Sequence, residues 1–186
     1  MNIEVRDGPT AFDAPELMDG VLDVYAIAFG SPPWNESAER LASYRTRAIE
    51  GTTRADFTLT VALNDDGRDV GFATAWTTPD PFPTGRLYDT IAATLDPPVL
   101  RDRLVGRTEV DELAVHPAAG RSGLGRALLN AVTSRSIGAW LVTGEFAEAA
   151  VSLYRGAGWE AIASVRSSEG LALIVFATPL SPDHIV

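Results

Sequence analysis

Cysteine is absent from the 186 residues, which removes disulfides, thiolate metal sites and a cysteine nucleophile together. Lysine is absent too, so every basic side chain other than two histidines is an arginine. A Walker-type phosphate loop needs its lysine, and that chemistry is excluded. The histidines are His116 and His184, and Ser122 stands in Gly-Arg-Ser-Gly-Leu rather than Gly-x-Ser-x-Gly, so a serine nucleophile elbow is not matched. No apolar run approaches the roughly 18 residues a membrane helix needs. The acidic start lacks the basic and apolar regions of a secretory signal, which predicts a cytoplasmic protein. Positive charge is scarce as well: the net charge is −10, which disfavours a nucleic-acid backbone as partner.

What remains is the composition of an ordinary globular protein, with 46% hydrophobic residues in a length suited to one domain over 1–186. The all-arginine usage points to a GC-rich bacterial genome. Complementary charge would draw a cationic partner to so acidic a chain.

Patterning predicts a strand at 3–6, a helix at 14–29 ended by Pro32 and Pro33, and a second helix at 37–49. Runs at 57–63 and 70–76, joined by Asn-Asp-Asp-Gly-Arg-Asp, predict a hairpin. Five prolines between 79 and 105 predict an irregular stretch with one short helix at 87–95, of the kind that serves as a lid or binding loop. There follow a strand at 109–115, a helix at 121–136, a strand at 139–143, a helix at 147–157, and strands at 159–166 and 171–178. The fold class is therefore α/β, with a central mixed, partly parallel twisted sheet of about six to seven strands flanked by about four helices.

Residues 115–129 read VHPAAGRSGLGRALL. Gly120, Gly123 and Gly125 fall between a strand and a helix whose apolar stripe is Leu124, Ala127, Leu128, Ala131 and Val132. A helix start carries unpaired N–H groups and partial positive charge, so an anion site is available there, although a plain turn would use the same residues. The order G-x-x-G-x-G is not the dinucleotide fingerprint, because residue 128 is Leu.

The strand end LAVHP followed by GRSGLGRALL resembles motif A of the GNAT superfamily of acetyl-CoA-dependent N-acetyltransferases, and AVSLYRGAGWE resembles that family's tyrosine-helix block. The resemblance implies a GNAT fold and transfer of an acetyl group from acetyl-CoA to a primary amine of a small molecule or peptide, directly in a ternary complex. It further implies that backbone groups of Leu113, Ala114 and Val115 hold the pantetheine arm. The N–H groups of Arg121, Ser122, Gly123, Leu124, Gly125 and Arg126 would receive the pyrophosphate. Two positions depart from the pattern: Gly120 stands where the family has Gln or Arg, and Ala147 where it often has Asn. No metal is implied, and monomer and homodimer are both compatible.

By the same resemblance Tyr154 is the acid that protonates the departing thiolate, its ordinary pKa lying about 1.5 units above a thiol's. Spacing alone would equally make it a core aromatic. Glu109 and Glu112 are the candidate bases, Glu109 at the place where some histone-acetylating relatives carry theirs and Glu112 nearest the thioester. Each would otherwise be a solvated strand-edge charge. His116 is a weaker candidate for a proton relay. Trp34, Trp76, Phe82 and Tyr88 are candidates to line the acceptor pocket or to fill the core. A non-catalytic acetyl-CoA sensor and a phosphate-binding module remain as alternatives.

Overall fold

The computed structural model describes residues 2–85 and 87–180, so His184 lies outside the described residues. Seven strands, β1 (Asn2–Asp7), β2 (Thr58–Leu63), β3 (Asp69–Thr77), β4 (Thr108–Val115), β5 (Ala139–Gly144), β6 (Glu160–Arg166) and β7 (Ala172–Ala177), form one mixed sheet. Their order is β1-β2-β3-β4-β5-β7-β6. The chain divides into two compact units, one of Met1–Trp76 with Val110–Arg135 and one of Thr77–Glu109 with Ser136–Val186.

In the first unit, α1 (Pro15–Phe29) opens with proline in its first turn, where no N–H is needed, and buries Met18, Val21, Val24, Tyr25 and Phe29. The helix predicted over 37–49 is two helices, α2 (Ala38–Ala42) and α3 (Tyr44–Gly51), separated at Ser43. The Ser43 hydroxyl donates to the Arg40 carbonyl and accepts from Arg47, which competes with a continuous helical ladder. Strands β2 and β3 form the predicted hairpin, and β1 pairs with β2 to extend it into an antiparallel meander. Its β2–β3 turn is held by the Asn64 side chain, whose Oδ1 accepts from the N–H groups of Asp66 and Arg68. At the start of β3, Asp69 leans on Gly20 of α1: its Oδ2 fills the space a Cβ of residue 20 would need, and its Oδ1 is buried without a partner.

Helix α6 (Leu124–Val132) begins three residues later and ends four residues earlier than the helix predicted over 121–136. Arg121 and Gly123 both have positive φ, 59° and 82°, a conformation that cannot belong to a right-handed helix. Leu124, Leu128, Leu129 and Val132 supply its buried face.

In the second unit, the proline-rich stretch is more regular than its composition suggests. The expected helix is α4 (Tyr88–Thr94), and a second one, α5 (Pro97–Arg103), follows it. Pro97 and Pro98 read as breakers, yet they occupy the first helical positions after Asp96, where proline is favoured. Their core gathers Tyr88, Ile91, Leu95, Leu104, Trp140, Val165 and Val175. Helix α7 (Glu148–Gly156) and the antiparallel β5–β7–β6 arrangement complete this unit.

Candidate active site

The loop after β4 is built by the backbone. His116 N–H donates to Val70 O at 2.8 Å, and the His116 Nδ1 accepts from Ala118 N–H at 3.1 Å, closing a 3₁₀ turn over Pro117–Ala119. The histidine is thereby committed to the turn. The Ser122 hydroxyl is likewise used internally, donating to Ala119 O at 2.7 Å. Gly123 then caps α6 in the left-handed conformation, and no side chain caps the helix. The N–H groups of the first turn, from Leu124 onward, have no intrahelical partner. A Cβ on Gly123 would meet nothing within 4 Å, so the space above the helix start is open to a ligand. A cleft of about 350 Å³ adjoins it, lined by Asn64, Val70, Ala118, Ala119, Gly120 and Ser122. An exposed left-handed glycine, an uncapped helix start and Arg121 and Arg126 nearby fit a pyrophosphate. Of the residues expected to hold pantetheine, Ala114 is buried and Leu113 and Val115 are half-buried.

The two carboxylates of β4 have different surroundings. Glu109, in the second unit, is 7% exposed and accepts both of the contacts made by the Tyr88 hydroxyl, at 2.8 and 3.0 Å. The reading of Glu109 as a solvated edge charge is therefore overturned: it is a buried acceptor held by α4. Glu112, in the first unit, is half-buried, and its carboxyl accepts no hydrogen bond from the described residues. Burial first, and Asp111 second, push the Glu112 carboxyl well above the usual carboxylate range, against the opposing pull of Arg47 and Arg40.

Around Glu112 stands a group of side chains that sequence reasoning did not assemble. Tyr25 of α1 and Tyr44 of α3 stack face to face, ring centres 3.7 Å apart and 5° from parallel. The Tyr25 hydroxyl donates to Glu36 at 2.7 Å and accepts from Arg47 at 2.7 Å, while Arg40 donates to the other Glu36 oxygen at 2.9 Å. The Tyr44 hydroxyl, in a residue only 1% exposed, is buried with no partner. Burial and the Glu112 charge raise the pKa of both tyrosines. One signal was present: Tyr25 falls in the apolar stripe of α1, and a tyrosine there needs a partner for its hydroxyl.

Tyr154, in the second unit, is 6% exposed on α7, its ring tilted against Trp159 and Phe176 at 6.0 and 5.6 Å. Ala147 stands at the start of α7 and makes no side-chain cap hydrogen bond. Among the aromatic candidates, Trp34 packs on Phe29. Trp76 is buried beneath the Arg54 guanidinium, 4.4 Å from its ring centre. Phe82 and Tyr88 pack with Trp140. These rings fill cores. Among the described residues no group of histidines and carboxylates is arranged to hold a metal ion, and no helix is long and apolar enough to cross a membrane.

Comparison with solved structures finds the same fold at low sequence identity. The chain is similar to histone acetyltransferase HPA2 and related acetyltransferase from Corynebacterium glutamicum, with a TM-score of 0.67 and 20% identity over all of both chains. It is similar to the ribosomal-protein-S18-alanine N-acetyltransferase of Escherichia coli, with a TM-score of 0.58 and 18% identity, covering 97% of this chain and 95% of that one. A chain of the NatC complex bound to Gag peptide and CoA matches with a TM-score of 0.61 and 15% identity, covering 97% and 100%. A comparison of the sequence with curated proteins finds no significant match. The model of the acetyltransferase (GNAT) family matches residues 21–159, a span that holds the loop, both carboxylates and the tyrosine helix. The chain belongs to the acetyltransferase (GNAT) family.

Proposed function

We propose that this acetyltransferase moves the acetyl group of acetyl-CoA to a primary amine of a small molecule or peptide, by direct transfer in a ternary complex. The observation that carries the reading is Glu112, a half-buried carboxyl with a raised proton affinity and no hydrogen-bond donor among the described residues. An ammonium is a poor nucleophile, and a carboxyl poised above its usual range takes its proton with less loss of driving force than an ordinary glutamate.

The bookkeeping of bonds is simple. Glu112 in its ionised form takes a proton from the ammonium, and the neutral nitrogen attacks the thioester carbonyl. The C–N bond forms and the C–S bond breaks. Tyr154 gives its phenolic proton to the leaving sulfur and recovers one from the nitrogen, so the products are the amide, CoA thiol and the proton held by Glu112. The backbone of Leu113, Ala114 and Val115 and the N–H groups from Arg121 to Arg126 bind acetyl-CoA in this reading, supported by the open, uncapped start of α6. Glu109 acts indirectly, by holding Tyr88.

Release of CoA thiol in the presence of an amine panel tests the activity. In a Tyr154→Phe protein turnover falls by about 10²- to 10⁴-fold if the hydroxyl is the acid, while acetyl-CoA affinity holds because the ring stays. Wild-type-like single-turnover rates in that variant would leave Tyr154 as a core aromatic, and thiol release with no amine in a broad panel would sink the transferase reading.

A further inference from the structure

Arg47 is a charge of the first unit that the proposed mechanism does not use. It is half-buried, and it takes part in none of the ion pairs among the described residues, unlike Arg40 beside it, which pairs with Glu36. Its guanidinium donates to the Arg40 carbonyl, the Ser43 hydroxyl and the Tyr25 hydroxyl, all neutral acceptors. A guanidinium has five N–H donors in a planar fork, so two have no acceptor among the described residues. The guanidinium lies 5.7 and 5.4 Å from the centres of the Tyr25 and Tyr44 rings, and its hydrogen bonds from both terminal nitrogens hold it in place. Charges removed from water are ordinarily matched by an opposite charge in contact, whereas here Glu36 reaches Arg47 only through the Tyr25 hydroxyl and Glu112 sits where its neutral form is favoured. The Tyr44 hydroxyl of the same stack is a second buried donor with no acceptor. Fixed, unspent donors of this kind fit a planar anion delivered by a ligand.

We infer that the acceptor is an amino acid, or an amine of the same pattern, whose free carboxylate is held by Arg47 while its amine faces Glu112. The inference rests on the acetyl-transfer reading given above and names its substrate class. Zwitterionic acceptors satisfy both ends of the cluster, whereas a polyamine offers nothing to Arg47 and a long peptide carries its carboxylate elsewhere.

The test is a set of matched triplets, each an amino acid, its carboxamide and its decarboxylated amine, assayed for CoA thiol release. The free acids are expected to exceed both partners in kcat/KM by about tenfold or more, as for a charged hydrogen-bonding group left without its mate. In Arg47→Met the ratio of acid to amide falls toward unity, and Arg47→Lys restores part of it. A merely structural role for Arg47 would lower acid and amide together and leave the ratio in place, which would overturn the inference. So would equal or better turnover of the amides by the wild-type protein, which needs no variant to fold.

A binding measurement separates this inference from the reading beneath it. With CoA present, N-acetyl amino acids should raise the melting temperature of the wild-type protein more than the corresponding N-acetyl amides. If that difference appears while no amine is turned over, transfer fails and carboxylate recognition stands. If amines are turned over without regard to a carboxylate, the reverse holds.

Discussion

Glu109 and Glu112 stand three residues apart on β4, and each meets a tyrosine-bearing helix, yet the two regions solve the problem of a sheltered carboxyl in opposite ways. At Glu109 the Tyr88 hydroxyl donates its hydrogen bond to the carboxylate, in a pair of contacts under 3.1 Å, and the residue is almost fully buried. At Glu112 the tyrosines stack with each other, one hydroxyl is spent on Glu36, the other has no partner, and the carboxyl remains half-buried without a hydrogen bond from the described residues. A carboxylate satisfied by a buried donor is part of the scaffold. One that is desolvated but unbonded has free-energy reason to change its protonation state, which is what a proton acceptor in catalysis must do.

The largest expected effect that sharpens this contrast is on turnover. Glu112→Gln should lower kcat/KM by about 10²- to 10⁴-fold, the range of a lost general base, and erase the rising limb of the pH–rate profile. Glu109→Gln keeps an acceptor for Tyr88 and should cost less than about tenfold by the same measure. Comparable losses in the two variants would collapse the distinction.

Next come the hydroxyls. Tyr88→Phe leaves a buried carboxylate short of a donor and should destabilise by about 1.5–3 kcal/mol, whereas Tyr44→Phe deletes a hydroxyl that is already unsatisfied and should raise stability by about 1 kcal/mol. Denaturant midpoints at constant m-value read both. A destabilising Tyr44→Phe would mean that its hydroxyl is satisfied in the folded protein, and the asymmetry between the two regions would be lost.

The smallest effect is in the pH dependence of stability. Glu112 holds its proton more tightly folded than unfolded. Between its ordinary range and its raised folded value the native state therefore binds more protons, and stability declines as pH rises through that window. Glu112→Gln removes this decline. Its melting temperature should thus gain on the wild type as pH increases from 5 to 8, and parallel curves would show that the carboxyl is not shifted upward.

Much of this was legible in the chain because it is local. The turn after β4 announces itself through glycines placed between a strand and an apolar stripe, and the family motifs fix its identity. What escaped depends on partners distant in sequence. Nothing at 109 reveals that Tyr88, 21 residues away, will reach it, so the sequence left Glu109 open between a candidate base and a solvated strand-edge charge. Arg47, Tyr25 and Glu36 come from α3, α1 and the segment between α1 and α2, and only folding joins them. The prolines of α5 misled for a different reason: the same residue that ends a helix also starts one, and position relative to Asp96 decides which.

The contact between Gly20 and Asp69 carries a consequence for anyone who evolves or engineers this chain. A glycine inside a helix is a standard target for stabilisation, since alanine is better there by about 1 kcal/mol. At position 20 that gain is reduced, because the new methyl group would displace the Asp69 carboxyl from its present place. The same carboxyl keeps one oxygen buried and unpartnered, so it is itself a burden. The two positions are therefore coupled: Gly20→Ala requires the Asp69 carboxyl to move, and the substitution gains more stability once residue 69 is small and apolar.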